Sequence, residues 1–172
     1  MYNVTLDATY ELSEKWKFSG YMTQASQSLL MGHSADYDGR VKDTSTTFGF
    51  GVAGKPSDRI RIGGDLISMR DTLRYTITPD ELISPANQTL LNATGGLPDV
   101  KFKLLRLNLF GEYALNKTST VRLDYIHHRT FFNEWTYGNN GVPFLYSDNT
   151  TLTAKETQSV NFIGASYVYK FK

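Results

Sequence analysis

The chain has 172 residues, 18 of them basic and 17 acidic, and this balance gives no reason to expect a nucleic-acid partner. It contains no cysteine, which excludes disulfides, thiolate-bound metals and the C-x-x-C-H attachment of c-type haem. Aromatic residues make up 13% of the chain although its mean hydropathy is −0.36. That combination is typical of a transmembrane β-barrel, whose strands alternate a lipid-facing side with a polar side.

Period-two alternation predicts seven strands. In chain order they cover about 2–12, 16–26 and 44–54, and then begin near 59, 101, 120 and 158. The first is the clearest, because Tyr2, Val4 and Leu6 alternate with polar residues. No run reaches the roughly 18 apolar residues of a transmembrane helix, so a closed barrel is the remaining way to span a membrane.

The predicted connections alternate in length. They are short at 13–15, 55–58 and 116–119, and long after the second, fourth and sixth strands. Short periplasmic turns opposite long external loops are the outer-membrane pattern, whereas a soluble sandwich favours shorter and more uniform linkers. The sequence therefore predicts an all-β, antiparallel transmembrane barrel in the bacterial outer membrane, with the short turns in the periplasm.

Seven strands are an odd number, and single-chain bacterial barrels have an even number. Residues 1–172 are therefore expected to be one barrel segment, the C-terminal part of a larger barrel, without a separate soluble domain. The alternative architecture is an eight-stranded barrel with an additional strand at 71–79, where Leu73, Tyr75 and Ile77 alternate.

Charged residues occupy the predicted interior positions of the strands. They are candidates for contacts with a protein inside the barrel or for the lining of a pore, although cross-strand ion pairs are the favoured interpretation. The candidates are Asp7, Asp65, Arg106, Glu112, Arg122, Asp124 and His128.

Aromatic residues cluster near the predicted periplasmic ends of the strands, as expected for an interfacial girdle. They are Tyr10, Trp16, Tyr113, Tyr167, Tyr169 and Phe171.

No metal site and no catalytic site is predicted. His127 and His128 are adjacent in a strand and should point to opposite faces, so they cannot chelate one ion together, with or without His33. The acidic residues assigned to external loops are interpreted as solvated charge, and they are Asp36, Asp38, Asp43, Glu134, Asp148 and Glu156. Gly49, Gly51 and Gly54 lie in a strand pattern, where small residues admit a neighbouring side chain or an enclosed protein.

Several segments together resemble the MtrB/PioB family of outer-membrane barrels associated with decahaem cytochromes. They are 10–16, 55–59, 97–99, the hairpin from Tyr113-Ala114-Leu115 to Leu123-Asp124-Tyr125, and the last loop and strand, 133–138, Val142-Pro143 and 160–171. The hairpins alone would also fit a general porin or the C-terminal barrel segment of a TonB-dependent transporter, which is the alternative function.

The resemblance implies a non-catalytic sheath that holds a periplasmic decahaem c-type cytochrome inside the barrel and carries no cofactor of its own. An extracellular multihaem cytochrome is a further partner that the resemblance suggests.

Overall fold

The computed structural model describes residues 1–33, 36–93, 99–133, 138–139, 142–145, 147–149, 151–152 and 157–171. The strands are β1 Tyr2–Ser13, β2 Trp16–His33, β3 Tyr37–Ser57, β4 Ile60–Pro79, β5 Val100–Ala114, β6 Ser119–Asn133, β7 Gly138–Asn139, β8 Val142–Leu145, β9 Thr151–Leu152 and β10 Thr157–Tyr169. One helix, α1 Pro85–Ala93, lies between β4 and β5.

Seven long strands form a single antiparallel sheet in the order β1-β2-β3-β4-β5-β6-β10. All seven coincide with the predicted strands, and every neighbouring pair except β6 and β10 is consecutive along the chain, as in an up-and-down meander. The three short strands β7, β8 and β9 pair with one another between β6 and β10. The prediction of an all-β, antiparallel fold is confirmed.

The strands β2, β3 and β4 are much longer than predicted, at 18, 21 and 20 residues. A strand tilted by about 45° needs only about 9–11 residues to cross a bilayer. The expected long connection between the second and third strands is therefore wrong, because only residues 34–36 separate β2 from β3. Apolar alternation could not reveal this, since 23–28 and 42–47 are largely polar on both faces while remaining free of proline and glycine.

The additional strand expected at 71–79 is also wrong as a separate element. These residues continue β4, and Tyr75 pairs with Val41 of β3 in the register that begins near Ile60. An eight-stranded barrel with an additional strand at 71–79 is therefore not what the structure shows. Alternation alone does not show where one strand ends and the next begins, whereas the cross-strand register does.

The two faces of the sheet differ in exposure. In β4, Ile62, Leu66 and Arg70 are exposed, while Asp65 and Ile67 on the opposite face are only partly exposed. We call the more exposed side the convex face and the other the concave face, because a sheet that curls shields the side toward which it bends. The register carries one face across the sheet, for example from Leu6 through Met22, Phe48, Ser68 and Leu105 to Arg129.

Large apolar side chains on the convex face form a band that the protein itself does not cover. Phe48 is 52% exposed and Leu109 is 46% exposed, and among the described residues only Val41 and Val100 are buried hydrophobics. This apolar belt comprises Leu6, Tyr10, Phe18, Met22, Phe48, Phe50, Ile62, Leu66, Leu105, Leu107, Leu109, Leu123, Tyr125 and Ile163. A patch of this extent requires a lipid or protein cover.

No helix within the described ranges is both long enough and apolar enough to pass through a bilayer. The sheet is also open. The outer edges of β1 and β10 have no strand partner among the described residues.

Candidate functional site

All seven predicted interior residues lie on the concave face. Asp7 lies on β1, where it pairs with Tyr21 of β2, and it is far from the other six residues. Arg106 lies opposite His128, and Glu112 lies opposite Arg122. Asp65 and Asp124 occupy the same face of β4 and β6. The sheet therefore groups six of the seven on β4, β5 and β6 and leaves Asp7 apart.

Arg122 is the centre of an ion-pair network near the end of the sheet that carries the short turns. Its Nη1 is 2.6 Å from Glu112 Oε1, and its Nη2 is 2.7 Å from Asp124 Oδ1. Arg61 reaches the other oxygen of Glu112 at 3.6 Å. The guanidinium of Arg122 also lies 4.5 Å from the centroid of the Phe110 ring. Cation–π contact and charge-assisted hydrogen bonds together fix this side chain.

A second polar chain on the concave face runs through Asn108. Its Nδ2 donates to Asp65 Oδ2 at 2.6 Å, and its Oδ1 accepts from Arg106 Nε at 3.0 Å. Asn108 and Arg61 were not among the predicted site residues. Both occupy the same face of their strands as the predicted site residues. Only the register shows that Asn108 connects Asp65 to Arg106 and that Arg61 reaches Glu112.

The concave face also carries apolar side chains beside these charges, which the sequence analysis did not identify as a site. Ile126 pairs directly with Phe162. Val160 is 57% exposed and Phe162 is 54% exposed, so neighbouring strands leave them uncovered. We call this surface the concave apolar patch, and it consists of Ile67, Met69, Leu104, Ile126, Val160 and Phe162.

Three glycines of β3 accommodate side chains of β2. A Cβ on Gly49 would clash with the Tyr21 ring, and one on Gly54 would lie 2.5 Å from the Trp16 ring. At Gly51 the nearest atom would be Ser19 Oγ, at 2.6 Å. In each case the close neighbour is a side chain of the sheet itself.

The predicted girdle residues lie on the convex face near the short turns or just past the strand end. Tyr113 pairs with Val121, which in turn pairs with Tyr167. The hydroxyl of Tyr167 donates to Ser119 Oγ at 2.9 Å. The rings of Tyr169 and Phe171 are 4.9 Å apart. Tyr10 and Trp16 flank the first turn on β1 and β2. Their interfacial role stays a prediction.

The acidic residues assigned to the first external loop are placed differently from expectation. Asp38 and Asp43 lie within β3, because β3 begins at Tyr37, and Asp36 immediately precedes it. Asp148 lies in a turn between β8 and β9. Some positions named in the sequence analysis lie outside the residues that the structure describes. They are the His33 side chain, residues 94–98, residues 134–137 with Glu134, and Glu156.

Asp43 and Asp71 meet on the concave side of the sheet, in the extension of β3 and β4 beyond the apolar belt and so outside the membrane-spanning segment. Gln27 Nε2 donates to Asp43 Oδ2 at 3.3 Å, while one oxygen of each carboxylate has no hydrogen-bond partner. Burial, together with the hydrogen bond and the charge of Asp43, raises the pKa of Asp71 to about 6.

The titratable side chains do not assemble a metal centre in the described ranges, where no group of three His, Asp or Glu residues is arranged to hold an ion. His127 and His128 lie on opposite faces, and His127 Nδ1 is 2.8 Å from Asn161 Oδ1 on the convex side.

Comparison with known proteins gives one family. Residues 1–171 match the family model described as "Putative outer membrane beta-barrel porin, MtrB/PioB". No curated protein and no solved structure matches the chain. The match covers nearly every residue, and the exposed apolar belt is the surface that an outer-membrane location requires. The chain therefore belongs to the MtrB/PioB family of outer-membrane β-barrel porins.

Proposed function

We propose that the chain forms part of the wall of a wide outer-membrane barrel that encloses a periplasmic multihaem c-type cytochrome. Electrons would cross the membrane along haems carried by that partner, and the role of this chain would be structural. The observation that carries the proposal is the concave apolar patch, which lies beside hydrogen-bonded charges on the face opposite the lipid-facing belt.

The composition of this face favours a protein cover over bulk water. A water-filled lumen gains nothing from exposed apolar side chains such as Val160 and Phe162, whereas the core of a protein interface is enriched in aromatic, Met and Arg side chains. Met69 belongs to the patch, and Arg106 lies beside it on the same face. The concave face therefore has the mixture of side chains that suits an enclosed protein.

The charges around Arg122 on this face are already paired, which lowers the cost of covering them. Burying a lone charge costs several kcal/mol. Because Arg122 is bound by both Glu112 and Asp124, a partner can cover the group without leaving an uncompensated ion.

The open edges of the sheet favour a wide barrel. An unpaired backbone group in hydrocarbon costs several kcal/mol, so β1 and β10 require strand partners in the membrane. A barrel of about eight strands is filled by its own side chains, whereas larger barrels enclose a lumen. Additional strands that close the seven-stranded sheet would provide the width that a folded partner needs.

The haem would belong to the partner, because the chain has no cysteine for covalent haem attachment. The long extensions of β2, β3 and β4 and the connections at their ends supply a second surface, on which an extracellular multihaem cytochrome would dock.

The test is retention of the cytochrome by variants of the concave apolar patch. The full-length protein is purified from outer membranes in mild detergent, and the co-purified c-type haem is measured by absorbance and haem staining. Ile126→Asp combined with Phe162→Asp should lower the haem-to-barrel ratio at least about tenfold, since tenfold corresponds to 1.4 kcal/mol. Thr9→Asp, on the concave face of β1 away from the patch, is the matched control and should retain the wild-type ratio.

Heat-modifiable mobility on gels verifies that both variants form the folded barrel. The proposal fails if the wild-type protein carries no c-type haem protein and reconstituted vesicles containing it alone admit small solutes, because that result identifies a general porin. Equal retention by patch and control variants would show that this patch does not bind the cytochrome.

A further inference from the structure

The convex face of four adjacent strands carries basic but no acidic side chains. The convex positions of β4, β5, β6 and β10 include Arg70, Arg74, Lys101, Lys103 and Arg129, but no acidic residue. The acidic residues of these strands lie on the concave face, as Asp65, Asp71, Glu112 and Asp124. The convex face of these four strands is therefore positively charged, although basic and acidic residues are nearly equal in number over the whole chain.

Three of these cations converge at the edge of the apolar belt, on the side of the sheet away from the short turns. Arg70 pairs directly with Lys103, and Arg129 pairs with Leu105, which places it diagonally next to Lys103. Diagonal neighbours across a sheet have Cα atoms about 7–8 Å apart, within reach of long side chains. All three side chains are exposed.

The cations border a shallow depression of about 390 Å³. Ser68 and Thr157 add hydroxyl groups to its lining, and Phe131 adds an aromatic ring. Lys103 Nζ lies 5.3 Å from the centroid of that ring. Cations, hydroxyl donors and an apolar wall thus meet in one outward-facing hollow.

These three cations have no carboxylate partner among the described residues, unlike Arg74 and Arg122. Arg74 is bound by Asp99 at 3.0 Å, and Arg122 on the concave face is bound by two carboxylates. The concave carboxylates cannot serve Arg70, Lys103 or Arg129, since they project from the other side of the sheet. Within the described residues, the outward cluster therefore has no internal counter-charge and can bind an external anion.

We infer that Arg70, Lys103 and Arg129 form a binding site for the phosphorylated sugar headgroup of lipid A in the outer leaflet. The position and the positive charge of the cluster both favour lipid A as the ligand. The short turns define the periplasmic rim, so the cluster lies at the opposite, outer boundary of the hydrocarbon. Lipid A presents phosphates on a disaccharide at that level and acyl chains beside the belt below it.

The chemistry of the hollow fits that headgroup. Arginine and lysine bind phosphate through charge-assisted hydrogen bonds, and Arg does so with a planar pair of donors. Ser68 and Thr157 can bind sugar hydroxyls, while Leu105 and Phe131 contact the upper part of the acyl chains. The inference depends on the outer-membrane orientation of the sheet and not on the enclosed cytochrome.

The experiment compares two triple variants of the full-length protein. One carries Arg70→Gln, Lys103→Gln and Arg129→Gln; the control carries Lys15→Gln, Arg59→Gln and Lys117→Gln, which remove the same charge from the short turns. Binding of diphosphorylated lipid A is measured in detergent, with dephosphorylated lipid A and phosphatidylglycerol as comparison probes. Heat-modifiable mobility verifies folding, and Lys103→Gln alone provides a milder variant.

The site variant should bind diphosphorylated lipid A at least about tenfold more weakly than the wild type, and Lys103→Gln should show an intermediate loss. The control variant should bind as the wild type does. Wild-type protein should prefer diphosphorylated lipid A to both comparison probes.

The inference is overturned if the site and control variants bind alike, or if dephosphorylated lipid A binds as tightly as the phosphorylated form. Equal binding of phosphatidylglycerol would reduce the cluster to a general anionic-lipid contact and would likewise overturn it. Haem retention should be unchanged in the site variant, so failure here is distinguishable from failure of the proposed cytochrome sheath.

Discussion

At the scale of single residues, Gly63 has no room for a side chain, whereas Gly111 has room for one. A Cβ on Gly63 would lie 2.7 Å from the Phe110 ring and 2.8 Å from the backbone oxygen of Val52. A Cβ on Gly111 would meet only Ile62 Cγ2, at 4.0 Å. Moving the backbone of a paired strand would break its hydrogen bonds. Only Gly63 therefore has to be glycine.

Gly63→Ala is expected to destabilise the barrel by about 1–3 kcal/mol through overpacking. Gly111→Ala should be neutral or slightly stabilising, because alanine restricts the unfolded chain without a clash. Denaturant titration of the full-length protein refolded in lipid vesicles measures both changes in the free energy of unfolding. A cost at Gly111 equal to that at Gly63 would contradict the packing argument.

The Asp43–Asp71 pair predicts a pH-dependent change in stability. The pKa of Asp71 is raised from its ordinary value of 3.8 to about 6, so folding favours the protonated carboxyl. This contribution to stability is present below about pH 3.8 and is lost as the pH rises through 6.

Asp71→Asn should therefore stabilise the protein relative to wild type at pH 7.5 and change little at pH 4. The gain should be roughly 1 kcal/mol, because solvent screens a partly exposed group. Unfolding titrations at the two pH values measure it. Asp58→Asn, in an exposed turn, removes one carboxylate away from this pair and serves as the control. A gain at Asp71 that is independent of pH would refute the assignment to this carboxyl.

At the scale of elements, each strand separates two environments by alternation. Leu109 lies in the convex belt, and the adjacent Asn108 lies on the concave face in contact with Asp65. Sequence alternation was sufficient to predict these two faces, because one apolar residue in two is a local signal. It could not show that Asn108 bridges two charged side chains, since those bonds depend on the register.

Leu109→Arg is expected to cost about 2–4 kcal/mol near the bilayer midplane, where arginine is poorly solvated. The matched pair on β1 is Ala8→Arg on the convex face and Thr9→Arg on the concave face, of which only the first should be costly. Unfolding free energies in vesicles give the comparison. Equal costs at Ala8 and Thr9 would show that the faces have been assigned the wrong way round.

At the scale of the whole molecule, the two rims of the sheet should lie on opposite sides of the outer membrane. The short turns before β2, β4 and β6 share one rim, and the connection with α1 lies on the other. These 172 residues contain no cysteine, so they contribute no background labelling when a single thiol is introduced.

Leu82→Cys should react with a membrane-impermeant maleimide on intact cells, because this residue is 86% exposed in the β4–β5 connection. Lys117→Cys, in the turn before β6, should react only after the outer membrane is permeabilised. The readout is mass-shifted protein on a gel. The reverse pattern would invert the orientation and move the cationic cluster to the inner leaflet.

The sequence by itself determined the strand-rich fold, the approximate location of all seven long strands and the side of the sheet on which the seven predicted interior residues lie. Period-two alternation encodes these properties locally, because adjacent side chains of a strand must point to opposite faces. The same local signal predicted the positions of the three short turns that precede β2, β4 and β6.

Only the tertiary structure decided which strands continue beyond the belt and which charges bind each other. The length of β3 depends on hydrogen bonds to β2 and β4, and these form equally well with polar side chains. The ion pairs of Arg122 and the grouping of cations around Lys103 both follow from the cross-strand register. Register relates residues far apart in the chain, and a single-strand pattern contains no information about it.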